Sequence, residues 1–110
     1  MGRWGFLTNH ALVLMHVIDH PRSTLRDIAS AVGITERAAL SILRALEEDG
    51  IISRQKEGRR NRYWVNFQAL LDHRRQGPYS VEQIANALLS LSRRVSRAAS
   101  GNSEARHASA

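Results

Sequence analysis

The stretch that decides the fold is TLRDIASAVGITERAALSILRALEEDGIISRQKEGRRNRYWV, residues 24–65. It opens on Thr24, followed three residues later by Asp27. This spacing satisfies free backbone N–H groups at the start of a helix. Gly33 supplies the left-handed position that ends that helix, and Thr35 caps the next one. The opening therefore predicts two helices joined by a short turn.

The second half of the stretch continues this order of elements. The second helix is expected over residues 36–49. Residues 51–55 and 62–65 have the composition of paired strands, and residues 56–61 form the turn between them, with Gly58 as the turn residue. Helix, turn, helix and hairpin in this order predict a winged helix-turn-helix: a mainly α fold with a small β-wing and a flanking C-terminal helix.

A helix over residues 9–19 should precede this stretch and end before Pro21. Its apolar residues at helical spacing predict one core stripe, made of Leu7, Ala11, Met15 and Ile18. Leu12 lies on another face and is also apolar, as are Val13 and Val17. A helix that is apolar nearly all round needs cover on two sides. The second cover is expected to be a C-terminal helix or a second subunit.

The C-terminal third should contain a short helix over residues 67–75 and a longer one over 81–97, which Ser80 and Gln83 cap. The longer helix carries an apolar stripe that we interpret as a dimerisation surface: Val81, Ile84, Leu88, Leu91 and Val95. Residues 98–110 are small and polar and are expected to be disordered. The expected domains are thus a winged helix-turn-helix (7–66), a helical dimerisation segment (67–97) and a tail (98–110).

The positive charge is concentrated on the predicted wing. The chain has 110 residues, no cysteine and a formal charge of +6. Residues 51–78 carry seven Lys or Arg against two Asp or Glu, whereas residues 1–50 carry five Arg against six acidic residues. A basic wing favours a polyanionic partner, although a solvated surface would look similar by charge alone. The lack of cysteine is compatible with a reducing cytoplasm.

Three segments give the chain its family likeness: GITERAA at 33–39, LEEDGII at 46–52 and GRRNRY at 58–63. Together they resemble the winged-helix transcription regulators of the MarR and ArsR type, mostly small prokaryotic proteins, over about residues 4–66. The resemblance implies a dimeric DNA-binding transcription regulator. No effector pocket can be carried over to this chain. A metal-sensing role like that of some members is not expected, because this chain has no cysteine to supply thiolate ligands.

The resemblance and the geometry of a recognition helix together predict the DNA-binding residues. On the helix they are Thr35, Glu36, Arg37, Leu40, Ser41 and Arg44, and on the wing Lys56, Arg59, Arg60 and Arg62. Glu36 either accepts from a cytosine amino group or favours the helix N-terminus. Leu40 departs from the polar residue that is usual there, and either touches a thymine methyl or packs.

Other chemistry has little support in the sequence. It shows no glycine-rich phosphate loop and no nucleophile motif, so no catalytic residues, cofactor or metal are expected. His16 and His20 have the spacing of a metal pair, but a histidine near a helix C-terminus is the ordinary interpretation. No apolar run reaches the roughly 20 residues of a membrane span.

The leading hypothesis is a homodimeric, sequence-specific DNA-binding transcription regulator, a repressor rather than an enzyme, located in the cytoplasm with the nucleoid. Two alternatives remain open: a winged helix that binds only proteins, and an architectural protein that binds DNA without sequence preference.

Overall fold

The structure, a computed structural model, describes residues 5–74 and 77–109. Its elements are α1 (Asn9–Asp19), α2 (Leu25–Val32), α3 (Glu36–Glu48), β1 (Ile52–Glu57), β2 (Arg60–Val65), α4 (Phe67–Asp72) and α5 (Val81–Ser109). The two strands form one antiparallel sheet. The chain divides after Ala69 into two compact units. The predicted fold class, helices with a small β-wing and a C-terminal helix, is confirmed.

The helix-turn-helix has the caps that the sequence predicted. The Thr24 hydroxyl accepts from the Asp27 N–H at 3.0 Å, and the Asp27 carboxylate accepts from the Thr24 N–H at 3.1 Å. Gly33 ends α2 with φ at 82°, in the left-handed region that glycine adopts without strain. Thr35 then caps α3 through a 3.0 Å bond from the Ala38 N–H. The turn between α2 and α3 is therefore specified locally.

The capping box formed by Thr24 and Asp27 should make the free energy of unfolding depend on pH in the acidic range. The hydrogen bond from the Thr24 backbone is the main cause that lowers the pKa of Asp27 below its ordinary 3.8, and the Thr24 hydroxyl lowers it further. A carboxylate with a lowered folded-state pKa stabilises the fold fully above pH 3.8 and loses that contribution as pH falls through its folded pKa. Asp27→Asn should therefore unfold more easily than the parent at neutral pH, and the difference should shrink below about pH 4.

Denaturant unfolding between pH 2 and 7 checks this prediction. Thr35→Ala is the matched control, because it removes a cap that contains no titrating group and should cost about 0.5–2 kcal/mol at every pH. If the free energy of unfolding lost in Asp27→Asn is the same at every pH, as it should be in the control, the prediction is contradicted.

The core of the first unit lies between α1, α2 and α3. Its largest fully buried side chains are Val13, Val17, Ile28 and Leu43. The inner stripe of α3 is buried throughout: Ala39, Ile42, Leu43 and Leu46.

The predicted inner stripe of α1 is wrong. The helix buries Val13, Leu14 and Val17 instead, while Leu7, Met15 and Ile18 are exposed and Ala11 is half-buried. Met15 is 52% exposed. Because α1 is apolar on most of its sides, spacing alone did not indicate which side faces α2 and α3. The helix consequently presents an apolar outer face.

The wing hairpin is longer and tighter than predicted. The ladder pairs Ile52 with Val65 and continues to Glu57 opposite Arg60. Only Gly58 and Arg59 remain between the strands, instead of the predicted six-residue turn. Gly58 has φ at 62° and Arg59 has a negative φ, which is the pattern of a type II′ hairpin turn. Charged residues were interpreted as a loop, but they pair across an exposed ladder where both faces meet water.

The hairpin is joined to the helices by the turn after α1. The Tyr63 N–H of β2 donates to the Pro21 carbonyl at 2.8 Å. Tyr63 itself is buried, whereas its neighbour Trp64 is 40% exposed on the other face. In addition, Arg54 of β1 forms an ion pair with Glu47 of α3, with Nε and Oε1 3.2 Å apart. These contacts fix the base of the wing against the helix-turn-helix.

In the second unit, α5 begins at the predicted capping box. The Ser80 N–H donates to Gln83 Oε1 at 2.8 Å, and the Gln83 N–H donates to Ser80 Oγ at 3.2 Å. The short helix α4 ends at Asp72, earlier than predicted, and residues 75 and 76 lie outside the described residues. Among the described residues, no helix combines the length and apolar character needed to cross a membrane.

The structure also differs from the sequence prediction at the end of α5. The helix runs to Ser109, whereas its end was expected at residue 97 with a disordered tail over 98–110. The sequence 98–109 contains several alanines and no proline, so it has no strong helix breaker beyond one glycine. Residue 110 lies outside the described residues, and the division into domains stays a prediction.

Candidate nucleic-acid interface

One face of α3 is open to solvent. It lies opposite the buried face that contains Ala39 and Leu43. The structure brings four of the predicted DNA-binding residues together on it, around one shallow depression that Ala45 and Glu48 also line: Arg37, Leu40, Ser41 and Arg44. Arg37, Ser41 and Arg44 are exposed, and Leu40 is half-buried. The face offers two guanidinium groups, a hydroxyl and an apolar side chain, which are the groups that read base edges in the major groove.

The N-terminal end of α3 presents the other two predicted helix residues. Thr35 and Glu36 are both exposed. The Thr35 hydroxyl is used as the helix cap, so its cap bond must be retained if it also contacts DNA. Glu36 lies in the first turn, where a carboxylate interacts favourably with the helix dipole. The position of Glu36 is therefore compatible with both interpretations, a contact with a cytosine amino group and a favourable interaction with the helix N-terminus.

The four basic wing residues do not share one surface. Arg59 occupies the turn, while Arg60 and Arg62 are in β2 at alternate positions and thus on the same face of the hairpin. Lys56 pairs with Asn61 and lies on the opposite face. Two of the predicted wing arginines are therefore adjacent, one is at the tip, and Lys56 is separated from them.

The face that carries Arg60 and Arg62 is organised by contacts within the protein. The Arg60 guanidinium donates from Nη1 to the backbone carbonyl of Arg22 at 3.3 Å. The Arg62 guanidinium lies over the Trp64 ring, 4.9 Å from its centroid, which is a cation–π arrangement. Glu57 contacts both Arg22 and Arg62, with nitrogen–oxygen distances of 3.3 and 3.9 Å. The wing thus holds its guanidinium groups in defined positions.

Arg22 was missed by the sequence interpretation. It lies in the turn between α1 and α2. Its side chain contacts Glu57 of the wing, which is 35 positions further along the chain. A basic residue just before a predicted helix cap was a weak local signal. Its proximity to the wing depends on the Pro21–Tyr63 hydrogen bond, which no periodicity in the sequence indicates.

The histidine pair at the C-terminal end of α1 has structural contacts. His16 Nε2 and Ser23 Oγ are 2.9 Å apart, and the rings of His16 and His20 lie 4.8 Å apart. Burial is the main cause that lowers the pKa of His16, and the nearby His20 adds to it. These contacts tie the end of α1 to the start of the helix-turn-helix.

The predicted dimerisation residues are distributed over both units. Leu12 of α1 is exposed, and Val81 and Ile84 of α5 are half-buried. Leu88, Leu91 and Val95 are exposed at 44%, 57% and 61%. Isolated apolar side chains on a surface are ordinary, but a continuous stripe is typical of an interaction surface. Their role in a dimer stays a prediction.

Comparison with known proteins supports the winged helix-turn-helix class that the fold and the face of α3 indicate. Residues 12–53 match the family model described as winged helix-turn-helix DNA-binding. The structure of MepR, a transcription regulator of the Staphylococcus aureus multidrug efflux pump MepA, is similar at 25% identity and a TM-score of 0.50. That match covers 56% of this chain and 48% of MepR, so it spans about half of the longer protein. No curated relative matches the chain.

Two further solved structures are similar. The PcaV transcriptional regulator from Streptomyces coelicolor matches at 23% identity and a TM-score of 0.52, over 86% of this chain and 79% of its own. A MarR-like transcriptional regulator from Thermotoga maritima matches at 17% identity and a TM-score of 0.48, over 86% and 77% of the two chains. The PcaV match shows a common fold.

These findings define the class of protein. The chain carries a winged helix-turn-helix DNA-binding domain like those of transcription regulators. The resemblance to MarR-type regulators that the sequence predicted is confirmed.

Proposed function

We propose that this chain is a transcription regulator, a repressor, that binds specific double-stranded DNA as a homodimer. It acts by occupying DNA and not by catalysis, in the cytoplasm at the nucleoid. The observation that carries the proposal is the open face of α3. Arg37, Ser41 and Arg44 are exposed together there, while the other side of the same helix is buried in the core.

The geometry supports base recognition by α3. In a helix-turn-helix the second helix enters the major groove and contacts bases with its N-terminal residues. Arg37 is in the first turn of α3, at the leading end of the open face. The buried Leu43 and Ala39 hold the helix rigidly against α1 and α2. A fixed helix presents a fixed pattern of donors, which is what discrimination between base pairs requires.

Homodimer formation is proposed from the apolar stripe on α5 and the outer face of α1. A symmetric dimer would place two copies of α3 on one duplex. Two-fold symmetric regulators bind half-sites about one helical turn, or roughly 34–36 Å, apart. The proposal therefore implies an operator with inverted symmetry.

Selection of bound duplexes from a random pool tests the proposal. The expected result is an inverted repeat whose half-sites are separated by about 10–10.5 base pairs or a multiple of that spacing. Enrichment of no motif would argue against sequence-specific recognition. Enrichment of a single half-site without symmetry would argue only against the dimer and would leave sequence-specific recognition intact.

Arg37 is expected to carry specificity at one base pair. Its guanidinium can donate two parallel hydrogen bonds to a guanine edge. Arg37→Ala should cost about 1–3 kcal/mol on the preferred duplex, with a much smaller loss on random DNA. Arg37→Lys keeps the charge but loses the planar fork, so it should also relax that base position.

Binding of both variants to a panel of single-base operator variants separates the two roles of an arginine. Arg44→Ala is the comparison, because it removes a charge from a second predicted DNA-binding position on the same face, further from the leading turn. A uniform loss across the whole panel for Arg37→Ala would make Arg37 a phosphate contact. Base reading would then fall to Glu36, Leu40 or Ser41.

A further inference from the structure

The wing and the turn before α2 together form a cluster of guanidinium groups around one carboxylate. Glu57 directs Oε2 at Arg22 Nε, 3.3 Å away, and Oε1 at Arg62 Nη1, 3.9 Å away. Arg60 is the cross-strand partner of Glu57, and its guanidinium bonds the Arg22 carbonyl. One acidic group is therefore placed among three cations, with its two oxygens directed at different ones.

This arrangement has the composition of a site for an oxyanion. Arginine binds carboxylate and phosphate through the same planar donor geometry. We propose that Arg22, Arg60 and Arg62 form a binding site for a DNA backbone phosphate, and that Glu57 occupies this site in the free protein as an internal competitor. The inference rests on the proposed DNA-binding function and adds Arg22 and Glu57 to the interface.

The strength of the internal contacts is compatible with such an exchange. The Arg22 and Glu57 side chains are 63% and 43% exposed, and an exposed ion pair is weak because water competes with both partners. A phosphate carries charge and several acceptor oxygens, so it can replace a single carboxylate there. The Glu57 side chain can then turn away into solvent.

Arg62 has donor capacity that the protein does not use. Its Nε is buried but has no hydrogen-bond partner within the part of the chain that the structure describes. Its nearest approach to Glu57, 3.9 Å, is longer than a hydrogen bond. Stacking on Trp64 holds the guanidinium in place without satisfying its donors. The guanidinium is thus held in place with incomplete hydrogen bonding, and a further acceptor would satisfy Nε once the groups that cover it are displaced.

The position of the cluster is outside the face of α3 that is proposed to read bases. A backbone contact there positions the protein and carries no sequence information directly. Glu57 should accordingly weaken binding to every duplex by a similar factor.

Anisotropy titrations over a range of NaCl concentrations test the inference, with the duplex recovered by selection and a scrambled duplex as probes. Glu57→Gln should tighten both duplexes about two- to fivefold, the range expected for removing one exposed charge pair. Arg22→Ala should weaken both and reduce the salt slope by about 0.9, which corresponds to one phosphate contact. Both substitutions are at exposed positions, and thermal unfolding checks that the fold is kept.

The double variant Arg22→Ala/Glu57→Gln decides the matter, because a coupled pair gives non-additive effects. The gain from Glu57→Gln should shrink when Arg22 is absent, because Oε2 loses its nearer partner while Oε1 keeps Arg62. A full gain in the double variant, no gain in the single variant, or an equal gain from the control Asp19→Asn would overturn the inference. A parent chain that binds neither duplex would instead overturn the proposed function and this inference with it.

Discussion

Leu88→Glu combined with Leu91→Glu is expected to convert the proposed homodimer into monomers. The two side chains are exposed on the same stripe of α5, so a partner that covers them would have to bury two carboxylates in apolar surroundings. Burying an unpaired charge costs several kcal/mol, which exceeds what a small interface can offset. Sedimentation equilibrium should show the parent as a dimer and the variant as a monomer.

The opposite side of α5 offers a matched control. Asn86 and Ser90 are exposed and lie on the side of the helix that faces away from the middle of the apolar stripe. Asn86→Glu combined with Ser90→Glu adds the same charge and should leave the dimer intact. If the leucine variant sediments like the parent, the dimer interface lies elsewhere or the protein is monomeric.

Arg59→Ala combined with Arg60→Ala is expected to weaken DNA binding without changing sequence preference. Arg59 is in the turn of the wing and Arg60 next to it at the start of β2, and both are exposed. Removing one arginine–phosphate interaction should reduce the salt slope by about 0.9, so removing two should reduce it by about 1.8. The affinities for preferred and scrambled duplexes should fall by similar factors.

Arg93→Ala combined with Arg94→Ala provides the control for net charge. It removes the same two charges from exposed positions of α5, which is not an element of the wing. This control should change the slope much less than the wing variant does. An unchanged slope in the wing variant would argue against contact between the wing and phosphates.

Much of the helix-turn-helix was predictable because its signals are local. The caps at Thr24 and Thr35 act within three residues, and the left-handed Gly33 acts at one position. The inner stripe of α3 was also predictable, since only one side of that helix is apolar enough to be buried.

Features that depend on contacts between distant segments were not predictable. The sequence could not indicate which side of α1 is buried, because nearly every side of it is apolar. It placed the wing turn over six residues, since paired charges on an exposed ladder look like loop residues. The contact of Arg22 with Glu57 depends on how the turn after α1 meets β2, and local patterns do not contain that information.

The helical backbone beyond residue 97 shows a related limit. The small, polar residues of 98–110 predict a disordered tail, yet the helix continues to Ser109. A segment without proline can extend an existing helix at little cost, because propagation is far easier than nucleation.

The ratio of two dissociation constants tests the central claim most directly. It compares the duplex recovered by selection with a scrambled duplex of the same length and composition, at one fixed, roughly physiological salt concentration. The account predicts that the parent chain binds the selected duplex at least about 10³-fold more tightly. A ratio near one with strong, salt-dependent binding would show an architectural protein, and little binding to either duplex would show an interaction module. Either result would contradict the claim that α3 reads bases.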